Sequence, residues 1–112
     1  MPGMILAAAV ALAQPADAKA ETRKDLRCFI VLSSVAGGTS EVAAAATMGA
    51  QYFLGRLDGR APGLDLEAAI AAEVPLLTAN DFPALMESCG ATMQERGQQV
   101  MEIGTRLEER GI

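Results

Sequence analysis

The C-terminal part of the chain, residues 80–112, reads NDFPALMESCGATMQERGQQVMEIGTRLEERGI. In it a large apolar residue recurs at every seventh position, and a glycine follows each of them four positions later. The members of this stripe are Met86, Gly90, Met93, Gly97, Val100, Gly104 and Leu107. A spacing of seven keeps side chains on one face of a helix. The pattern therefore predicts a helix over residues 82–109 with Asp81 as its N-cap, unless Gly97 divides it into two helices.

The glycines of the stripe indicate close packing. Each glycine inside a helix costs about 1 kcal/mol relative to alanine, so three in register need a compensating contact. A partner helix that is itself slim can lie against them, and residues 43–50, AAAATMGA, have that character. We therefore expect the second helix of the chain to pack against the glycine row. The same face is suited to a second copy of the chain, which gives a homodimer as an alternative.

Local patterns predict three helices before this one. Charged residues followed by an apolar run indicate the first, although the composition of residues 28–32 is also typical of a strand. Thr39-Ser40-Glu41 is an N-cap signature for the second helix, Asp65 caps the third, and Pro75 ends or kinks the third. The predicted ranges are 21–36, 42–57 and 66–74. The fold class is all-α, a small bundle of four or five helices.

The N-terminus has the layout of a secretory signal peptide. Residues 4–13 form an uncharged apolar run, and small residues follow in the pattern Ala16-Asp17-Ala18. Cleavage after Ala18, or after Ala13, divides the chain into a signal peptide, 1–18, and a single helical domain, 19–112. Ten apolar residues extend about 15 Å as a helix, half of a bilayer core, so we expect no retained membrane span. We expect a periplasmic or secreted protein; the alternative is an alanine-rich buried helix.

Cys28 and Cys89 are the two cysteines of the chain. Export places them in an oxidising compartment, where an even number of cysteines favours pairing. We therefore predict one disulfide that clamps the first helix to the last. A redox pair usually has the spacing Cys-x-x-Cys, and a metal site needs further soft ligands. The sequence has neither the Cys-x-x-Cys spacing nor further soft ligands.

Composition excludes several classes of function. The 112 residues contain no His, which removes Ser–His and Cys–His nucleophile pairs and histidine zinc sites. Nine Lys and Arg against 14 Asp and Glu give a net charge of -5, so we expect no nucleic-acid partner. The chain also lacks a phosphate-binding loop of the usual spacing. We therefore expect a non-enzymatic protein with no cofactor and no metal.

One local cluster is a candidate binding site. Tyr52, Arg56, Asp58 and Arg60 surround the predicted end of the second helix, so two guanidinium groups lie near an aromatic ring. Such a pair can bind an anionic ligand or a carboxylate of a partner protein. The alternative is structural, because cations near a helix C-terminus complement the helix dipole and Gly59 can supply the cap.

The arrangement of cysteines and helices resembles a known family. The segments that carry the resemblance are Cys28-Phe29-Ile30, Ala46-Thr47-Met48-Gly49-Ala50 and Cys89. They are similar to the small periplasmic acid-stress chaperones of the HdeA type, and the chain also resembles small exported bacterial helical proteins in general. The chaperone resemblance implies a compact all-α fold with one disulfide, which acid loosens so that apolar surface binds unfolding clients. We therefore expect an exported helical module that binds protein partners or clients.

Overall fold

A computed structural model describes residues 16–112 of the chain. The predicted apolar leader, residues 4–13, and the cleavage site after Ala13 lie outside the described residues. The described part contains four α-helices: α1 (Ala16–Ala36), α2 (Glu41–Arg60), α3 (Leu66–Glu73) and α4 (Asp81–Glu109). A short 3-10 turn, Val74–Leu76, follows α3. No strand occurs in this part, and residues 28–32 lie within α1, so the all-α prediction is confirmed.

Two of the predicted N-caps form as expected. The Ser40 side-chain oxygen accepts a hydrogen bond from the Ala43 N–H at 3.2 Å, and this bond starts α2. Asp65 accepts in the same way from the Ala68 N–H at 3.1 Å, at the start of α3. Pro75 lies in the 3-10 turn and ends α3, as predicted. These bonds join residues three apart, which is why the local sequence was sufficient to place them.

The predicted role of Asp81 as an N-cap was wrong. Asp81 is the first residue of α4, and the N-cap position belongs to Asn80, whose side chain makes no capping bond. The Asp81 carboxylate instead accepts hydrogen bonds from the Thr78 N–H at 2.8 Å and from the Thr78 hydroxyl at 3.0 Å. These bonds lower the pKa of Asp81. Because the Asp81 carboxylate is bonded to Thr78 in the turn before α4, it does not cap the helix.

The core forms between α1 and α2, which lie side by side as an antiparallel hairpin. Leu32 of α1 lies over Gly49 of α2, where an added Cβ would be 2.9 Å from a Leu32 methyl group. Phe53 is 1% exposed and lies in the same cluster. The buried members of this cluster are Cys28, Leu32, Ala46, Ala50, Phe53 and Cys89. The slim face of α2 thus serves the contact with α1.

The first half of α4 is fastened to this hairpin by the predicted disulfide. Cys28 of α1 and Cys89 of α4 are bonded, with their Cα atoms 5.6 Å apart. Leu85, Met86 and Met93 pack against the cluster and are partly buried. The helix continues without a break through Gly97 to Glu109. The predicted clamp between first and last helix is therefore confirmed.

The predicted packing of α2 against the glycine row was wrong. A Cβ added at Gly90, Gly97 or Gly104 would have no neighbouring heavy atom within 4 Å. The slim face of α2 is already occupied, because Leu32 covers Gly49. Within residues 16–112, none of the helices combines the length and the hydropathy that a membrane span requires.

Candidate functional site

The predicted cluster at the end of α2 is turned toward α1. Nε of Arg56 donates to Oδ2 of Asp25 at 3.2 Å, and Nε of Arg60 lies 3.0 Å from the same oxygen. Glu21, one turn earlier in α1, lies 3.7 Å and 3.9 Å from the two guanidinium groups. Two arginines therefore face two acids of the same chain. A free anion at this place would have to compete with them.

Tyr52 belongs to this cluster, whereas Asp58 does not. Nη1 of Arg56 donates to the Tyr52 hydroxyl at 3.3 Å, and its guanidinium carbon lies 5.7 Å from the centre of the Tyr52 ring. Burial lowers the pKa of Arg56, but the bond with Tyr52 and the charge of Asp25 outweigh burial, so this pKa is raised overall. Asp58 is exposed. The structure thus joins three of the four candidate residues into an ion-pair network between α1 and α2.

A second network of the same kind connects α1 with α3. Glu73 is buried, and one of its carboxylate oxygens accepts from Nε of Arg23 at 2.8 Å and from Nε of Arg27 at 2.6 Å. Burial by itself raises the pKa of Glu73, but the two arginine bonds outweigh it, so the pKa lies below its ordinary value of 4.5. A buried carboxylate held in this way is stabilised as long as it is charged.

Sequence reasoning missed Asp25 and Glu73, the two buried acids. A signal for them exists, because each acid faces a pair of arginines four residues apart on one helix. Residues four apart share a helix face. An arginine pair of this spacing is therefore a candidate partner for a buried carboxylate, but the spacing alone does not identify one, because Arg106 and Arg110 share it and are exposed.

We expect the substitution Glu73→Gln to lower the free energy of unfolding by about 2 kcal/mol at pH 7. The variant leaves two arginines without their buried anion, and breaking such a pair is costly; both arginines are partly exposed, which reduces the loss. Urea denaturation followed by circular dichroism measures the change. Glu67→Gln, on an exposed face of α3, is the matched control. Equal stability of the two variants would contradict this prediction.

An apolar groove lies between α2 and α4. Its volume is about 380 Å³, and every residue that lines it is apolar or glycine. Val42 and Met48 are the large side chains of the α2 wall and are 61% and 68% exposed. The α4 wall consists of Met86, Gly90 and Met93. We refer to this feature, lined by both helices, as the α2–α4 groove.

Beyond the groove, α4 continues as a helix that no other described element covers. Every residue from 94 to 112 is exposed, and we call this segment the α4 arm. Its helical part, 94–109, extends about 24 Å. Its large apolar side chains are 37% to 78% exposed; they are Val100, Met101, Ile103, Leu107 and Ile112.

The apolar side of the α4 arm continues the side of α4 that faces the core. Val100 and Leu107 follow Met93 by seven and 14 residues. Seven residues are close to two helical turns, so these side chains point in nearly the same direction as Met93. The arm therefore presents a core-like face with nothing packed on it. Contiguous exposed apolar surface of this kind marks interaction sites in soluble proteins.

No protein-family model, curated protein or solved structure matches the chain. Among the described residues, no group of three or more acidic or cysteine side chains is arranged to hold a metal ion.

Proposed function

We propose that the protein is a non-enzymatic, exported helical module that binds another protein through the α4 arm and the α2–α4 groove. The observation that carries this proposal is the uncovered apolar face of the arm, which is in line with the core-facing side of the same helix. A helix of this kind is stable in water when a partner covers its apolar face. Groove and arm adjoin on α4, so one partner can contact both.

A protein partner fits this surface better than a small molecule does. Small-molecule sites usually combine an apolar cavity with a few polar groups that orient the ligand. The α2–α4 groove has no such polar side chain among its lining residues. A long helix face with apolar residues in heptad positions is instead typical of helix-to-helix recognition.

Two features of the chain support the non-enzymatic and exported parts of the proposal. Arg56 and Arg60 have acidic partners on α1, which gives these charges a structural role. The apolar leader at residues 4–13 and the Cys28–Cys89 disulfide are both typical of a periplasmic or secreted protein.

Photo-crosslinking in the organism that makes the protein tests the proposal. A benzoylphenylalanine crosslinker replaces Val100 on the apolar face of the arm, and in a matched control it replaces Gln98 on the polar face of the same turn. We expect a protein adduct of discrete mass from position 100 and little adduct from position 98. Mass spectrometry then identifies the adduct. The absence of protein adducts from position 100, or equal adducts from both positions, would overturn the proposal.

An acid-activated chaperone is a second candidate function. The observation that favours it is the pair of buried carboxylates at helix interfaces. Asp25 faces Arg56 and Arg60, which Glu21 also contacts, and Glu73 faces two further arginines of α1. Protonation of Glu73 removes the attraction that holds α3 to α1. A loosened helix assembly would expose the apolar core to clients.

The pH dependence of stability follows from the pKa of Glu73. Because this pKa is lower in the folded protein than its ordinary value of 4.5, the stabilisation is fully present above pH 4.5 and is lost as pH falls through the folded-state pKa. We therefore expect the urea midpoint to be nearly constant from pH 7 to pH 5 and to fall steeply below pH 4.5. In Glu73→Gln the fall should be smaller. Protection of an aggregating client that appears in the same acid range would support the chaperone function, and a protein that stays folded at pH 2 without protecting a client would exclude it.

A further inference from the structure

Resting on the proposed function, we infer that the partner of the α4 arm is a second copy of this chain, with the two α4 helices paired antiparallel. Gly97 and Gly104 motivate this choice. Each costs the helix about 1 kcal/mol relative to alanine, and an added Cβ at either position would meet no heavy atom within 4 Å in the single chain. The fold of one copy therefore does not need a glycine at these positions, whereas close approach of a second helix requires one.

In one antiparallel register the three glycines of α4 face the three large stripe residues that follow Met86, so that Leu107 is matched as well. In antiparallel pairs the glycine row of one copy faces the large apolar row of the other. When Gly97 faces Val100, the pairs repeat along the helix with a spacing of seven. The resulting pairs between the two copies are Gly90 with Leu107, Gly97 with Val100, and Gly104 with Met93, each occurring twice by symmetry. A shift of one heptad in either direction leaves one of these glycines, or one of these large residues, without its match.

The same register covers the α2–α4 groove. Leu107 of the second copy lies over Gly90, which lines the groove beside Met86 and Met93. The end of each arm thus enters the groove of the other copy, where Val42 and Met48 form the opposite wall. A two-fold axis makes both contacts identical, as closed symmetric dimers require. In this dimer the second copy therefore covers both the α4 arm and the α2–α4 groove.

The surface is large enough for a reversible dimer. Six partly exposed apolar side chains would be covered in each copy: Val42, Met48, Val100, Met101, Ile103 and Leu107. Covering them removes on the order of 400 Å² of apolar surface per copy. Apolar atoms make up about 60% of a typical interface, so the two copies together would bury on the order of 1,300 Å². This area lies at the lower end of specific interfaces.

Flanking charges give a sharp test of the register. Glu87 of one copy faces Glu108 of the other, and this pair of like charges weakens the dimer. Glu108→Lys replaces repulsion by attraction at both symmetric positions. The new lysine is also near the C-terminus of α4, where a cation is favourable. Glu109→Lys makes the same charge change one residue further on, where the side chain points away from the partner.

Sedimentation equilibrium of the exported protein, purified with its disulfide intact, provides the test. We expect a monomer–dimer equilibrium that Glu108→Lys tightens about tenfold relative to Glu109→Lys. We expect Gly97→Leu to remove the dimer, because the leucine blocks close approach, and its side chain has open space in the monomer, so the variant folds. Gln98→Leu, on the outer face, should dimerise like the wild type.

Three results would overturn the inference. They are a wild-type chain that stays monomeric at millimolar concentration, a Gly97→Leu variant that dimerises normally, and a Glu108→Lys variant no tighter than Glu109→Lys. A monomeric chain that still forms position-100 adducts with a different protein would leave the proposed function standing and reject the second copy as partner. A monomeric chain without any adducts would reject both.

Discussion

Removal of the disulfide by the double substitution Cys28→Ala, Cys89→Ala is expected to lower the free energy of unfolding by about 4 kcal/mol. The bond closes a loop with a sequence separation of 61, and a crosslink over a loop of this length restricts the unfolded chain by about that amount. The effect is large because the net stability of a small domain is about 5–15 kcal/mol. Urea denaturation of the variant and of the oxidised protein measures the difference.

The disulfide variant also tests how α4 is held. In the oxidised protein the first half of α4 packs on the hairpin through the partly buried side chains of Leu85, Met86 and Met93. When the disulfide is absent, we expect α4 to detach before α1 and α2 separate. Hydrogen exchange should then show faster exchange in residues 85–93 than in the centre of α2. Ser33→Ala, on an exposed position of α1, is the control and should leave stability nearly unchanged. A loss below about 1 kcal/mol in the double variant would contradict this account of the clamp.

The substitution Phe53→Ala is expected to lower the free energy of unfolding by about 3–5 kcal/mol, the range for deleting a buried aromatic side chain. Phe53 is 1% exposed, and its ring lies edge-on to that of Tyr52 with the centroids 5.1 Å apart. Phe53→Ala leaves a cavity at the centre of the α1–α2 hairpin, where Leu32 and the disulfide limit relaxation.

Phe82 provides a matched control for this substitution. It is 40% exposed in the first turn of α4. We therefore expect Phe82→Ala to lower the free energy of unfolding by only on the order of 1 kcal/mol. The two variants lose the same atoms and differ in what surrounded those atoms. Similar losses for both would show that the core does not lie where the structure places it.

Features set by neighbouring residues could be predicted from the sequence. The caps at Ser40 and Asp65 depend on bonds to residues three positions later, and the heptad spacing of α4 is visible without knowing its surroundings. The Cys28–Cys89 pair followed from the count of two cysteines and the expected compartment. The local patterns predicted the all-α fold class, and the count of two cysteines predicted the disulfide clamp.

Features set by distant residues could not be predicted in the same way. The slim face of α2 has two suitable partners in the sequence, the glycine row of α4 and the α1 helix. The short connection between α1 and α2 favours α1, and Leu32 occupies the space over Gly49. The acids Asp25 and Glu73 look like ordinary surface residues until arginines 31 to 50 positions away are brought beside them.

The candidate site shows the same division. The stripe was predicted to be a packing surface, and in the structure only its first large residues, Met86 and Met93, pack on the core cluster. The cluster at Arg56 was recognisable as a concentration of charge, whereas its acidic partners lie on another helix. The proposed site, the α2–α4 groove with the α4 arm, combines one feature that is visible in the sequence with one that requires tertiary structure.

Distances between spin labels on two copies test most directly whether the α4 arm is a self-pairing interface. The chain has no free cysteine among its described residues, so a single added cysteine can be labelled, at Gln98→Cys in one sample and at Glu109→Cys in another. In the proposed register, position 98 lies beside the two-fold axis, and labels there should be about 20 Å apart, given an interaxial distance of 8–10 Å. Labels at position 109 should be more than about 30 Å apart, because the helices run in opposite directions at 1.5 Å per residue. Equally short distances at both positions, or no distance between copies at either, would contradict the account.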